Sequence, residues 1–178
     1  MATIFSHAVV GCTMVGLLPA KMRTKSVYLF AGASAMVPDI DYLGFINNIP
    51  YASLWGHRGM THSLLFAAIT GLVIGLPLAS LQKAPIVRLS VFFFLTTISH
   101  GIIDACTTGG LGVAFYAPYN TLRYFFPWRP IAVSPMGMGF FSERGLVVLI
   151  SELYWILLPC LGLLLLQLAL NWKRKTVS

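Results

Sequence analysis

GHRGMTHSLLFAAITGLVIGLPLASL, residues 56–81, joins two unlike halves. From His62 to Leu81 the run is apolar and carries no formal charge. A bilayer core requires about 20 such residues in a helix. Just ahead of it, His57, Arg58 and His62 crowd around Gly56 and Gly59. The stretch reads as a membrane helix whose start carries ionisable side chains.

Four further apolar stretches flank it. Ala2 to Ala20 carries His7, and Ser26 to Pro38 is short for a span, so it is expected to be partly buried among the others. Ile86 to Ala105 holds His100 and Asp104, and Leu146 to Leu170 holds one charge, Glu152. The chain is 57% hydrophobic and 10% charged, too little polar surface to cover a soluble domain. Mean hydropathy is +0.81. The expected fold is all-α: a polytopic transmembrane helical bundle of about five membrane helices. Its 178 residues suit a single integral-membrane domain, 1–178, with 105–142 as an external loop rich in Gly, Pro and aromatics. The first stretch is followed, not preceded, by Lys21, Arg23 and Lys25, the reverse of a cleavable signal peptide. Three cysteines (Cys12, Cys106, Cys160) match no zinc module and read as small core residues.

The net charge of +7 comes from short basic clusters between apolar runs. No basic helix or basic-aromatic strand accompanies them, so nucleic acid is not an expected partner. They read instead as topology determinants. If Lys21, Arg23 and Lys25, then Lys83 and Arg88, then Lys173, Arg174 and Lys175 are cytoplasmic, five spans with an external N-terminus and a cytoplasmic C-terminus satisfy every cluster. That topology places all four histidines and all five acids at external helix ends.

Three constellations carry chemistry. In Pro38-Asp39-Ile40-Asp41, a proline ends the helix and two carboxylates follow, offering hard oxygen ligands or a solvated helix exit. In Gly56-His57-Arg58-Gly59-Met60-Thr61-His62-Ser63, Thr61 is a candidate N-cap, and Arg58 between glycines suits an anionic group. His100 and Asp104, at i and i+4, share one helix face. Glu152 lies several residues inside the last span, where an unpaired carboxylate is costly. It either joins the same site as ligand or base, or pairs with an arginine. Glu143, followed by Arg144, reads as a helix-start charge. Imidazoles with carboxylates suit Zn²⁺, Mn²⁺ or Fe²⁺, and the surplus of candidates suits one or two ions plus a base and orienting groups. The chemistry expected of such a set is metal-activated water attacking an ester. Aromatics from Tyr116 to Trp128 make the external segment either a substrate-shaping cap or an interfacial belt, and Arg123 and Arg129 there would meet anionic headgroups.

His7, Pro38-Asp39-Ile40-Asp41, the His57–Ser63 block and Ser99-His100-x-x-x-Asp104 together, in this order, resemble the YdjM-like family over about residues 5 to 155. That family consists of bacterial membrane-bound metal-dependent hydrolases with LexA-regulated members. The ligand order is also similar to the zinc-dependent phospholipase C superfamily. The resemblance implies metal ligation by His7, Asp39 or Asp41, His62, His100 and Asp104, and places the protein in the bacterial inner membrane. The superfamily's late histidine–acid pair is half present, since Val148 precedes Glu152 by four residues. This departure favours one or two metals over three. The resulting expectation is a hydrolase facing the periplasm that cleaves a phosphoester of a lipid or lipid-linked anionic substrate. Its divalent metal is zinc first, and Asp41, His57 and Glu152 are ligands or bases. Arg58 binds the anion. The rival expectations are a transporter, or a structural protein stabilised by metal, using the same cluster.

Overall fold

The computed structural model describes residues 1–135 and 137–176, with side chains through residue 172. The side chains of the C-terminal basic run, Lys173, Arg174 and Lys175, lie outside the described residues.

Helix α1 (Ile4–Met14) starts at Thr3, whose hydroxyl accepts the Ser6 N–H at 3.4 Å. It tightens into a 3₁₀ turn, Val15–Leu17, ahead of Pro19, so the first apolar helix is shorter than the apolar run suggests. Thr24 caps helix α2 (Lys25–Met36) through the Val27 N–H. The two helices meet on small residues, and a side chain at Gly11 would collide with the Ala31 carbonyl.

Helix α2 does not end its rod at Pro38, as the sequence suggests. Pro38 enters a 3₁₀ turn, Val37–Asp41, which runs on into helix α3 (Tyr42–Ile46). Lys25–Ile46 is thus a 22-residue rod long and apolar enough to cross a membrane. The proline stands at the start of the 3₁₀ turn, where its missing N–H costs little, and so does not break the rod.

Ser63, not Thr61, caps helix α4 (Leu64–Gln82), accepting the Phe66 N–H at 3.1 Å. Met60–His62 forms a separate 3₁₀ turn before it. Lys83, left-handed at φ 49°, closes α4 and lets the chain double back into helix α5 (Ile86–Ala105). This hairpin packs closely where Gly71 and Gly75 meet the backbone of Ser90 and Phe94. The last rod combines helix α6 (Glu143–Glu152), a π turn at Leu153–Leu157 and helix α7 (Leu158–Thr176).

Lys25–Ile46, Leu64–Gln82, Ile86–Ala105 and Glu143–Trp172 are long and apolar enough to cross a membrane, while the first helix with its 3₁₀ extension, Ile4–Leu17, is shorter. The result is a membrane helical bundle. Extended pairing among the described residues is limited to two isolated bridges, Thr107 with Ile131 and Val113 with Tyr124, in the long segment after α5. One end of the bundle is filled by Val15, Met22, Val27, Leu89 and Phe93. There Gln82 Nε2 donates to Thr24 Oγ1 at 3.0 Å, so the turns bearing Lys21–Lys25 and Lys83–Arg88 sit side by side. The ionisable cluster lies at the opposite ends of the same helices.

Candidate metal centre

Four elements deliver the site. The 3₁₀ turn after α2 carries Asp39 and Asp41, the turn before α4 carries His62, the last turns of α5 carry His100 and Asp104, and α1 carries His7. His57 and Arg58 come from the loop between α3 and α4. All of these side chains are buried.

Asp39, His62, His100 and Asp104 each offer one ligand atom, and the four lie within 4.8 Å of one another. His100 Nε2 is 3.3 Å from Asp39 Oδ1 and 4.0 Å from Asp104 Oδ2. His62 Nε2 is 3.9 Å from Asp39 Oδ1 and 3.7 Å from Asp104 Oδ2. Two ligand atoms on one tetrahedral zinc, with bonds of about 2.0–2.1 Å, stand about 3.3 Å apart. The observed edges are at or slightly above that length. His62 Nε2, His100 Nε2, Asp39 Oδ1 and Asp104 Oδ2 are also buried without a hydrogen-bond partner. Orphaned buried polar atoms are costly, and four converging on one point fit a cation between them. Two nitrogens and two oxygens suit Zn²⁺, and Mn²⁺ or Fe²⁺ as well.

The surrounding groups aim these atoms. His100 Nδ1–H donates to the Ala35 carbonyl at 2.7 Å, a tautomer that leaves Nε2 a bare lone pair facing the cage. His62 Nδ1 stands 3.1 Å from Asp41 Oδ2, completing a carboxylate–histidine relay. Asp41 Oδ2 also accepts the Arg58 N–H at 3.0 Å and the Thr61 hydroxyl at 2.7 Å. Its Oδ1 meets His57 Nδ1 at 2.6 Å. Asp39 and Asp41 therefore do different jobs. A 3₁₀ helix turns about 120° per residue, so residues two apart cannot face the same way. A second group of potential ligands, Asp41, His57 and His62, shares His62 with the first. There the donor atoms already bond to one another.

Burial opposes charge on His62, but the carboxylates of Asp104 and Asp41 outweigh it and raise its pKa to about 9. Without metal, its ring holds the proton in the place a cation would take.

His7 sits at one remove. Its ring stacks on His100 at 3.7 Å between centroids, and Nε2 is 3.5 Å from Asp104 Oδ1, on the far side of that carboxylate. Arg58, expected to hold an anion, is fully buried with its guanidinium turned inward. Nε lies 2.9 Å from Asp104 Oδ2, as a charge contact, not an aligned hydrogen bond. Nη1 donates to the Gly109 carbonyl and Nη2 to Thr107 Oγ1. Arg58 itself takes a left-handed φ of 62°, and side chains at Gly56 and Gly59 would collide with the carbonyls of Pro50 and Leu54. Glu152 stands outside the cage and, among the described residues, forms no ion pair with an arginine. It accepts from Thr3 N at 2.5 Å, Thr3 Oγ1 at 2.6 Å and Ser6 Oγ at 2.7 Å.

The segment after α5 covers the cluster. Ala114 N–H donates to the Arg58 carbonyl, and Leu64 N–H to that of Phe115. Arg123, instead of reaching for headgroups, donates to the carbonyls of Tyr51, Ser53 and His57 and so straps the histidine loop in place. Sequence reasoning missed Thr3, Ser6 and Thr107. Each is a common residue whose role depends on a distant partner. Thr61 was visible inside the histidine block, but as a cap.

Comparison with known proteins agrees with the membrane assignment. The model of the family described as YdjM inner membrane protein matches residues 1–175. Inner membrane protein YbcI of Escherichia coli (strain K12) is 37% identical over 182 residues, covering 98% of this chain and 100% of that relative. No solved structure matches.

Proposed function

The chain belongs to the YdjM family of inner membrane proteins, and from that premise and the cage we propose that it is a membrane-embedded, metal-dependent hydrolase. The substrate class we propose is a phosphoester of a lipid or lipid-linked molecule. One observation carries the reading: four buried ligand atoms without hydrogen-bond partners, two imidazole nitrogens and two carboxylate oxygens, converge at one end of the bundle.

Asp39, His62, His100 and Asp104 would hold a divalent cation, zinc first by its donor set. Such a cation supplies Lewis acidity, drawing charge from a phosphoryl oxygen and lowering the pKa of a nearby water. The rest of the work falls to the chain. Asp41 orients His62 and, through its other oxygen, His57. His57 Nε2 is buried with no partner and is the general base, taking the proton of the attacking water. As the water oxygen bonds to phosphorus and the ester O–P bond breaks, the same nitrogen returns the proton to the leaving alkoxide. Arg58 holds Asp104 in place by charge. His7, stacked on His100, fixes that ring's plane.

The basic turns at the opposite end are the cytoplasmic side in this reading, which puts the cage at the periplasmic face. A metal-transport reading is disfavoured by the apolar layer of Val15, Met22, Val27, Leu89 and Phe93 at the far end.

The test is purification in detergent, elemental analysis, and hydrolysis of phosphatidic acid and bis-p-nitrophenyl phosphate with zinc or manganese added. His62→Ala and Asp104→Ala are each expected to lose bound metal and hydrolysis together. Full hydrolysis by both variants would sink the proposal.

A further inference from the structure

Resting on the hydrolytic reading, we infer that the cavity beside Asp39 receives the stretch of a membrane lipid's hydrocarbon next to its phosphoester, while that phosphoester reaches the cage. The cavity measures about 330 Å³, within the roughly 300–1,000 Å³ of small-molecule sites. Its walls are the N-terminal segment, with Ala2, Ile4 and Phe5, and the segment before α6, with Pro135 and Phe140. Asp39 and Tyr42 close the remaining side.

Two independent observations point to this occupant. The first is continuity with the cage. Asp39 lines the cavity, and it is also the ligand-bearing carboxylate, 93% buried, with neither oxygen hydrogen-bonded. A molecule in the cavity therefore abuts the reacting centre through one side chain. The second is the surroundings. Phe5, Ile40, Met138 and Phe141 are well exposed on neighbouring stretches, a surface suited to hydrocarbon and not to water. A lipid leaving the bilayer sideways would pass from one apolar surface to another and lose little on entry. Thr3 and Ser134 apart, a water-soluble phosphoester would find few partners on these largely apolar walls. The geometry thus selects an amphiphile: an anionic ester at the cage, and hydrocarbon beyond Asp39.

The experiment uses purified full-length protein in detergent micelles and phosphatidic acid carrying a diazirine on its acyl chain. After photolysis, adducts are mapped by peptide mass spectrometry. Expected are adducts concentrated in residues 1–5 and 134–140, saturable, and competed away by unlabelled phosphatidic acid. Ile4→Trp and Phe140→Trp, which fill the cavity without touching the cage, should each cut those adducts at least tenfold while retaining zinc. Zinc content also reports that each variant is folded. Non-saturable labelling spread along the exposed apolar face of residues 143–172 would overturn the inference. So would cavity labelling unchanged in both zinc-retaining variants. Saturable cavity adducts in a zinc-loaded protein that hydrolyses no phosphoester would uphold the lipid site and sink the hydrolytic reading alone.

Discussion

Asp41 shows how much one carboxylate can organise. It offers no atom to the four-atom cage, yet it holds the cage residue His62 as well as His57, Thr61 and the Arg58 backbone. Removing an orienting carboxylate of this kind typically weakens metal binding about 10–100-fold. Asp41→Asn is therefore expected to lower zinc affinity by about that factor, measured by competition with a chromogenic chelator. Wild-type affinity in the variant would remove Asp41 from the site. His62 gives a second expectation, for the metal-free protein. Its folded pKa of about 9 exceeds the ordinary value of 6.5, so its proton stabilises the fold fully below pH 6.5. That contribution fades as pH rises from 6.5 through 9. The melting temperature of chelator-treated protein should fall across this window, and His62→Gln should flatten the fall.

At the scale of elements, the site depends on how helix ends are tied together. Glu152 ends α6 and takes three donors from the first turn of α1, binding the last rod to the helix that carries His7. Directly beyond it the rod widens into a π turn, Leu153–Leu157, ahead of Pro159. Proline has no N–H and crowds the carbonyl four residues back, here that of Trp155, so the ladder opens at this point. Glu152→Leu would leave Thr3 and Ser6 donors buried and unpaired, at about 1–3 kcal/mol for each. A clear drop in thermal stability in detergent is expected, larger than for Glu152→Gln, which keeps an acceptor. Zinc stoichiometry at low temperature should survive, because Glu152 stands outside the cage. Zinc lost from a folded Glu152→Gln protein would instead place Glu152 among the ligands. The spans themselves were legible, since Ile86–Ala105 matches its apolar run residue for residue. The rod through Pro38 was not, because proline's local effect is to stop a helix and only packing against α5 and the histidine turn carries the chain onward.

For the whole molecule, the asymmetry between ends carries the proposed orientation. Lys21, Lys25, Lys83 and Arg88 gather at one end and the buried His/Asp cluster at the other. In a cysteine-free background, Tyr119→Cys should react with an impermeant maleimide added to intact spheroplasts, and Lys83→Cys only after lysis. Both positions are exposed. The reverse pattern would put the cage on the cytoplasmic side.

By itself the sequence determined the membrane bundle and the residues that could meet at one end of it. Span length, hydropathy and basic clusters are local properties that add along the chain, and the His57–Ser63 block and the His100–Asp104 pair announce themselves by spacing. Only the tertiary structure separated Asp39 from Asp41, turned Arg58 inward to Asp104, and assigned Glu152 to the start of α1. A carboxylate's role depends on which way its turn points and on donors more than a hundred residues away, as with Glu152 and Thr3. In a low-dielectric interior those partners decide whether a charged group is a ligand, an orienting group or a tie between helices.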